Sequence, residues 1–391
     1  MPMKFANSMT LPSLKERLRE LAEELRARAD SIEREGSVPV EVVSELKGCG
    51  LFRAFVPKRY GGWEAEYLPV VEGLAFLGEG CASSCWVASL FVSHSLIAAW
   101  FPESAQDAIW ANGPDALLGS SLAPIGQLRE ADGGYTLCGD WSYSSGVDHA
   151  DWLILGAKDE DGQSRLVLVP ASEAKVRDDW EVCGLQGTGS KSVSLHGVFV
   201  PFDRILSMGA LEGGETPGHQ VNRGGIFRYP WRAAFSFSFV PTALGIARSA
   251  IALSRCHFNG KCSAYTGKKF ADNPVGWLQL AESAGELEAA WAVVRRNLSE
   301  LDALVREGRS VPDEVVIRSC YAPAQVVVLC RRAVERLFHK SGAWALLEKN
   351  ALQRNFRDIQ AVGQHPGVNI DIAGQAYGKA LLDRPELRVG E

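Results

Sequence analysis

Apolar residues recur at helical spacing along the first part of the chain. The first predicted helix runs from Leu11 to Glu35, and its apolar residues lie three or four positions apart on one face: Leu14, Leu18, Leu21 and Leu25. Shorter patterns of the same kind predict four more helices, over about Val40–Lys47, Leu68–Gly78, Ser83–Trp100 and Glu103–Ala111. The pattern therefore predicts an all-helical N-terminal domain over residues 1–114.

The pattern changes after Asn112-Gly113-Pro114. Short runs of β-type residues follow, at Tyr135–Cys138, Trp152–Leu155, Arg165–Val169 and Ser192–Leu195. Turn-forming residues separate them, as at Asp132-Gly133-Gly134 and Asp159–Gly162. Residues 115–208 are therefore expected to form an antiparallel sheet or small barrel, because no helical crossovers separate the runs as βαβ units require.

Helical spacing returns after a polar, glycine-rich loop over Gly209–Gly225. Four long patterns follow, over about Pro230–Asn259, Pro274–Arg306, Asp313–Ser341 and Val368–Leu382. Four long helices pack most readily as an antiparallel bundle, which we expect over residues 209–391. The fold class predicted from the sequence is α+β, mostly α.

Composition narrows the class of protein. The 391 residues are 46% hydrophobic and 23% charged, as in an ordinary globular protein. A net charge of −6 argues against a nucleic-acid partner. The most apolar stretch, Ala233–Ala247, is interrupted by serines and a proline and is shorter than the roughly 20 residues of a membrane span. Nine cysteines without a CxxC pair, and no apolar leader in the first residues, predict a cytoplasmic protein with reduced thiols.

The sequence contains few motifs with an assigned chemistry. It lacks a phosphate loop, an HExxH metal motif and a GxSxG elbow, and its seven histidines never lie four residues apart, so no metal site is expected. The glycines of Gly184–Gly189 precede a strand, which disfavours a dinucleotide-binding turn. Ser144-Ser145-Gly146 ends a predicted strand beside an aromatic residue. Its hydroxyls suit a planar heteroaromatic ligand, although the residues by themselves slightly favour an ordinary serine-rich turn.

Four stretches of the sequence carry a family resemblance. They read SSCWVASLFVSH from Ser83, WSYSSGVDHADW from Trp141, GLQGTGSKSVSLHGVFVPFDRIL from Gly184 and RDIQAVGQHPGVNIDIAGQAYGKAL from Arg357. Together they resemble the acyl-CoA dehydrogenase fold in its two-component flavin-dependent monooxygenase branch. The resemblance implies a helical domain, a β domain and a helical bundle. It also implies an oxygenase component that takes reduced FMN or FAD from a separate flavin reductase, adds O2 at flavin C4a and hydroxylates a small aromatic or heteroaromatic substrate.

The same stretches depart from true acyl-CoA dehydrogenases. The loop Ser120–Gly126 has no carboxylate where those enzymes carry an acidic loop, and Gln375–Gly378 offers no glutamate base. Without such a base, dehydrogenation lacks its usual first step, which favours oxygenation. Three alternatives remain at this point: an N- or S-oxygenating member of the branch, a dehydrogenase acting on an acyl thioester, and a flavin-free helical scaffold.

The resemblance also implies roles for particular residues. His365, after a predicted helix over Gln353–Val362, matches a histidine that serves as acid and base, for which an ordinary pKa of about 6.5 is suitable. His94 matches a histidine that orients the substrate hydroxyl, although a satisfied core histidine is an equal alternative. Ser144 or Ser145 matches the serine at flavin N5; adjacent strand residues face opposite sides, so only one of them is expected there.

Further residues are weaker candidates for flavin contacts. Trp86 is expected near the flavin ring, Thr188 and Ser190 near ribityl or phosphate oxygens, and Lys268 or Lys269 near a flavin phosphate. Arg357-Asp358 is expected to be a structural ion pair or cap. The bundle helices also carry more apolar residues than one core can bury: Trp277, Leu278, Leu280, Trp291, Val326–Leu329 and Trp344–Leu347. This surplus, with the resemblance, predicts a homotetramer.

Overall fold

The N-terminal helices form one side of the molecule. The computed structural model describes residues 11–263 and 265–383. It begins with α1 (Leu11–Glu35), α2 (Val40–Gly48), α3 (Tyr67–Gly80), α4 (Ala82–Ala98) and α5 (Glu103–Ile109). The leucine stripe of α1 is buried against α3. By contrast, all 17 residues of α4 are buried, so its polar side chains must find partners inside the protein.

The middle of the chain is a seven-stranded sheet. The strands are β1 (Leu118–Ala131), β2 (Gly134–Ser144), β3 (Trp152–Lys158), β4 (Ser164–Pro170), β5 (Lys175–Arg177), β6 (Lys191–Pro201) and β7 (Ile205–Ser207). They lie in the order β5-β6-β2-β1-β3-β4-β7. All neighbours are antiparallel except β1 and β3, which corrects the fully antiparallel prediction at one pair. The turn after β2 crosses to the far side of β1, so β3 runs in the same direction as β1.

Two predicted segments of the C-terminal part differ from the structure. The loop over Gly209–Gly225 contains two short helices, α6 (Met208–Gly213) and α7 (Gly218–Val221). The helix predicted over Pro230–Asn259 is divided into α8 (Trp231–Phe237) and α9 (Val240–Gly260). Pro241 lies in the first turn of α9, where a proline is tolerated, and its missing N–H prevents α8 from continuing through it.

The bundle consists of α9, α10 (Pro274–Arg306), α11 (Asp313–Ser341) and α12 (Ala351–Val362). The prediction placed the helix near Val368–Leu382 as its fourth member, and this is wrong. That helix, α13 (Ile370–Asp383), packs on α11 and on the turn before it and buries none of its residues. The shorter α12 takes the place because its apolar face is buried: Leu352, Ile359 and Val362.

One segment is apolar enough to resemble a membrane span. Trp231–Gly260 is long and apolar enough to cross a membrane, with a mean hydropathy of 1.3 over its most apolar 18-residue window. However, 72% of that window is buried inside the fold. Its apolar character is therefore explained by its central position in the bundle. All nine cysteines are free thiols.

Candidate active site

His94 lies in the middle of α4 and is 1% exposed. Its Nδ1 is 2.6 Å from the carbonyl of Leu118, and its Nε2 is 2.8 Å from the hydroxyl of Ser120. Burial lowers the pKa of His94 to about 4, so the ring is neutral at pH 7. A carbonyl can only accept a hydrogen bond, so the single ring proton is on Nδ1. His94 Nε2 therefore accepts the proton of Ser120.

His365 has the opposite tautomer. It begins the short turn Pro366–Val368, and its Nδ1 accepts the N–H of Gly367 at 3.0 Å. Burial, together with the charge that His94 would carry, lowers the pKa of His365 to about 4. The ring is therefore neutral, with its proton on Nε2. This corrects the expectation of a histidine that titrates near pH 6.5: the resting side chain is a hydrogen-bond donor.

The two histidines share one aromatic pocket. The ring of His365 lies 4.0 Å from that of Phe239, 5.8 Å from Trp86 and 5.9 Å from Phe235. Phe235 in turn stacks on His94 at 6.4 Å. Sequence reasoning did not single out the two phenylalanines. Their signal was their spacing of four residues at the junction of α8 and α9, since residues four apart in helical chain lie on one face.

Ser145 is connected to this pocket by a hydrogen bond to Trp86. The indole Nε1–H donates to the Ser145 hydroxyl at 3.0 Å. The hydroxyls of Ser145 and Ser190 are 2.7 Å apart, as are those of Ser190 and Thr188. Thr188 donates in turn to the carbonyl of Leu185 at 2.8 Å. The structure thus joins four residues that the sequence singled out separately.

Ser144 points to the other side of the strand. A methyl group added to Gly119 would lie 3.3 Å from the Ser144 hydroxyl and 2.9 Å from Leu153, which belongs to the core of the sheet. The hydroxyl is buried and has no hydrogen-bond partner among the described residues. Of the two serines, it is therefore Ser145 that adjoins the aromatic pocket.

Tyr143 is a residue that sequence reasoning missed. Its φ of +67° is unusual for an aromatic residue, and its side chain is 74% exposed. Its ring meets that of Trp180 edge to face at 6.1 Å. Strained backbone of this kind clusters at active sites and ligand-binding positions. The signal in the sequence was an aromatic residue directly before the two serines.

The remaining candidates lie outside the pocket. Lys268 and Lys269 are exposed on the loop between α9 and α10, and the structure does not bring them to the other candidates. Asp358 is buried on α12 and accepts the N–H of Leu185 at 2.7 Å. Arg357 pairs with Glu33 on α1. Asp358 is thus a cap for a loop, and its neighbour forms the ion pair.

Comparisons with known proteins identify the family. The models "Acyl-CoA dehydrogenase, N-terminal domain" and "Acyl-CoA dehydrogenase, C-terminal domain" match residues 11–109 and 237–370. The oxygenase component of the FADH(2)-dependent resorcinol hydroxylase of Rhizobium sp. strain MTP-10005 is 34% identical, over 93% of this chain and 92% of that protein. The oxygenase subunit HsaA of a flavin-dependent monooxygenase from Rhodococcus jostii strain RHA1 is 32% identical, over 95% of this chain and 98% of that subunit. The chain belongs to the flavin-dependent monooxygenase oxygenase components of the acyl-CoA dehydrogenase fold.

Solved structures agree with this family. The HsaA monooxygenase from M. tuberculosis superimposes with a TM-score of 0.91 at 31% identity, over 97% of this chain and all of that one. XiaF from Streptomyces sp., in complex with FADH2 and glycerol, gives 0.88 at 28% identity, over 95% and 96% of the two chains. The predicted resemblance, fold and enzyme class are confirmed. The enzyme is an oxygenase component that uses reduced flavin, which a separate flavin reductase supplies in two-component systems.

The residues of the pocket fit a reduced flavin. The Ser145 hydroxyl follows the end of β2 and contacts the Trp86 indole, which packs against Phe239 and His365. Such a site offers a hydrogen-bonding group and flat apolar surfaces to a polar ring system. None of the hydrogen bonds or ring contacts described around the two histidines involves a carboxylate, which suits oxygenation and not proton abstraction from a thioester.

Proposed function

We propose that this oxygenase hydroxylates a small phenol at the carbon next to its hydroxyl group, in the pocket between His94 and His365. The observation that carries the proposal is the pair of complementary neutral histidines on one aromatic pocket. One ring accepts a proton through Ser120, and the other presents an N–H. The relatives whose names include a resorcinol hydroxylase and a p-hydroxyphenylacetate 3-hydroxylase support a phenol as substrate.

Ser120 and His94 form the route for the proton of the phenol. The substrate hydroxyl donates to Ser120 Oγ, and Ser120 passes its own proton to His94 Nε2, 2.8 Å away. As the neighbouring ring carbon takes up oxygen, the phenol O–H becomes strongly acidic, and transfer of its proton along this route avoids a positive charge on the phenol oxygen. The bound reduced flavin supplies, with O2, the oxygen atom that this carbon takes up, and the second oxygen leaves as water.

His365 has the complementary role. Its Nδ1 is held by the Gly367 N–H, and its Nε2–H donates to an oxygen that becomes negative during transfer. A fixed donor aimed at developing charge in a water-poor site is an effective form of catalysis. Phe235, Phe239 and Trp86 keep water out of this part of the pocket, and Ser145 contacts flavin N5.

The partners follow from the same proposal. The flavin is reduced FAD, as the resorcinol hydroxylase relative's name states for that enzyme. The protein acts in the cytoplasm, where its nine thiols stay reduced, and receives flavin by diffusion from the reductase.

We also propose a homotetramer, which rests on fewer exposed apolar residues than the sequence suggested. Trp291 and Val326 are buried within the chain and cannot serve an interface. The side chains of Trp277 and Leu278 on α10 are 56% and 54% exposed, and Leu346 and Leu347 are exposed after α11. Exposed apolar groups of this kind favour contact with further copies of the chain.

Labelled oxygen tests the proposed reaction. The purified chain is mixed with a flavin reductase, NADH, FAD and resorcinol or p-hydroxyphenylacetate under ¹⁸O2. We expect a product with one additional ring hydroxyl, which carries one ¹⁸O atom, and no product when the chain is omitted. If every phenol tested leaves only hydrogen peroxide and oxidised flavin, the phenol proposal is wrong. Product from an amine or a thioether alone would indicate N- or S-oxygenation.

A further inference from the structure

The hydrogen bonds between Trp86 and Leu185 run in one direction. The Leu185 carbonyl can only accept, so the single proton of Thr188 is committed to it. Ser190 must therefore donate to Thr188, and Ser145 must donate to Ser190. At the other end, the indole Nε1–H can only donate to Ser145. No other arrangement of protons satisfies all four contacts.

This direction determines what Ser145 offers to a ligand. A hydroxyl has one proton and two lone pairs. The proton of Ser145 is given to Ser190, and one lone pair receives the indole N–H. One lone pair is left, so Ser145 can accept a hydrogen bond from a ligand and has none to donate.

Contacts between a loop and α12 hold the carbonyl that sets this direction. Leu185 has a left-handed backbone with φ of +53°, and its N–H donates to Asp358. The preceding Gly184 lies directly on the helix, since a Cβ there would be 2.4 Å from the carbonyl oxygen of Arg357. Arg357 also donates to the carbonyl of Cys183 at 2.8 Å. The orientation of Leu185 is therefore fixed by α12, which holds both the Leu185 N–H and the two residues before it.

We propose that this one-way chain makes the site selective for the redox state of the flavin. Reduced flavin carries a hydrogen on N5, which Ser145 accepts. Oxidised flavin has only a lone pair on N5. The free lone pair of Ser145 would lie against it, so the two atoms repel each other and form no hydrogen bond. The site therefore favours the flavin that enters the reaction over the flavin that leaves it. This rests on the proposed function, because it places N5 beside Ser145.

Variants that break the chain beyond Ser145 test the selectivity. Thr188→Val keeps the shape of the side chain and removes the acceptor of Ser190, whose proton can then turn to Ser145. Ser190→Ala removes the acceptor of Ser145 itself. In both, the Ser145 proton becomes free for N5 of oxidised flavin. The dissociation constants of oxidised FAD and, anaerobically, of reduced FAD are measured by absorbance titration.

We expect the ratio of the two constants, oxidised over reduced, to fall about tenfold in Thr188→Val and in Ser190→Ala, the effect of one hydrogen bond. Thr188→Ser retains the hydroxyl and should keep the wild-type ratio. Ser145→Ala separates the two proposals. If it changes the ratio while Thr188→Val and Ser190→Ala do not, selection by the chain is wrong and the place of the flavin stands. If Ser145→Ala leaves both constants unchanged, the flavin does not contact Ser145 and both proposals fail.

Discussion

The indole Nε1 of Trp86 lies 3.0 Å from the hydroxyl of Ser145, and this bond joins the N-terminal helices to the sheet. The same indole packs against Phe239 at 4.9 Å and His365 at 5.8 Å, both in the C-terminal part. One side chain thus contacts all three parts of the chain. The shape of the pocket therefore depends on how the three parts pack together, and not on any one of them.

Ser145→Ala should lower the coupling of flavin oxidation to hydroxylation. It leaves the indole N–H and the Ser190 hydroxyl with one partner fewer and removes the group proposed at flavin N5. We expect the ratio of hydroxylated product to hydrogen peroxide to fall about tenfold, with binding of the phenol little changed. Product and peroxide are measured in the same reaction. Ser144→Ala is the matched control and should keep wild-type coupling; an equal loss there would contradict the assignment.

His365→Ala should slow hydroxylation by about 100-fold, the usual cost of losing one fixed donor to a developing charge. Reduced flavin should still bind. Because the pKa of His365 is lowered to about 4, its neutral form predominates throughout pH 6–8. The wild-type hydroxylation rate should therefore show no titration of this histidine in that range. His149→Ala, which removes a bond to the Val38 carbonyl outside the pocket, serves as control. A wild-type rate in His365→Ala would leave the residue only a structural role.

Ser120→Ala should interrupt the proton route from the phenol to His94. Loss of a general base typically costs about 100- to 10,000-fold in the step it serves. We expect this loss to lower kcat, and to change KM for the phenol much less. Single-turnover and steady-state assays measure the two effects. Ser120→Thr retains the hydroxyl and should restore most of the rate. A wild-type rate in Ser120→Ala would show that the proton leaves by another route.

Asp358→Asn should change how stability depends on pH. Burial raises the pKa of Asp358 to about 6, against the opposing effect of the Leu185 N–H. The charge of Glu33 contributes to this raised pKa, and the charges of Arg354 and Arg357 act against it. The fold thus favours the protonated acid, so its contribution is complete below about pH 4 and is lost as pH rises through 6.

Asparagine is neutral at every pH and lacks this loss. Relative to Asp358→Asn, the wild type should lose about 2 kcal/mol of unfolding free energy between pH 4 and pH 8. Urea unfolding of both proteins at several pH values measures the difference, in which the other titrating groups cancel. A difference that stays constant with pH would show that Asp358 is ionised in the fold as in the unfolded chain.

The wild type should be a tetramer in light scattering at micromolar concentration. Trp277→Glu combined with Leu278→Glu should produce smaller species, because a charge is costly to bury in an apolar contact. Val40→Glu changes an exposed apolar residue of α2 and should leave the assembly intact. A wild-type monomer would exclude the interface.

The sequence alone determined the long local elements. The bounds of α1, α10 and α11 match the predicted Leu11–Glu35, Pro274–Arg306 and Asp313–Ser341. Helical periodicity, first-turn prolines and the flanking breakers suffice there, because the information that fixes a long amphipathic helix lies within the helix itself. The four motifs likewise sufficed for the family, since each is a contiguous stretch.

Tertiary structure decided the chemistry of the pocket. Which serine adjoins the pocket depends on Trp86, 59 residues away from Ser145. The tautomer of His94 depends on the Leu118 carbonyl and the Ser120 hydroxyl of β1. The direction of the hydroxyl chain depends on the Leu185 carbonyl, and Leu185 is held by Asp358, 173 positions further along the chain. A proton takes its position from the donors and acceptors around it in space, and only the packing of helices against the sheet brings those groups within hydrogen-bond distance.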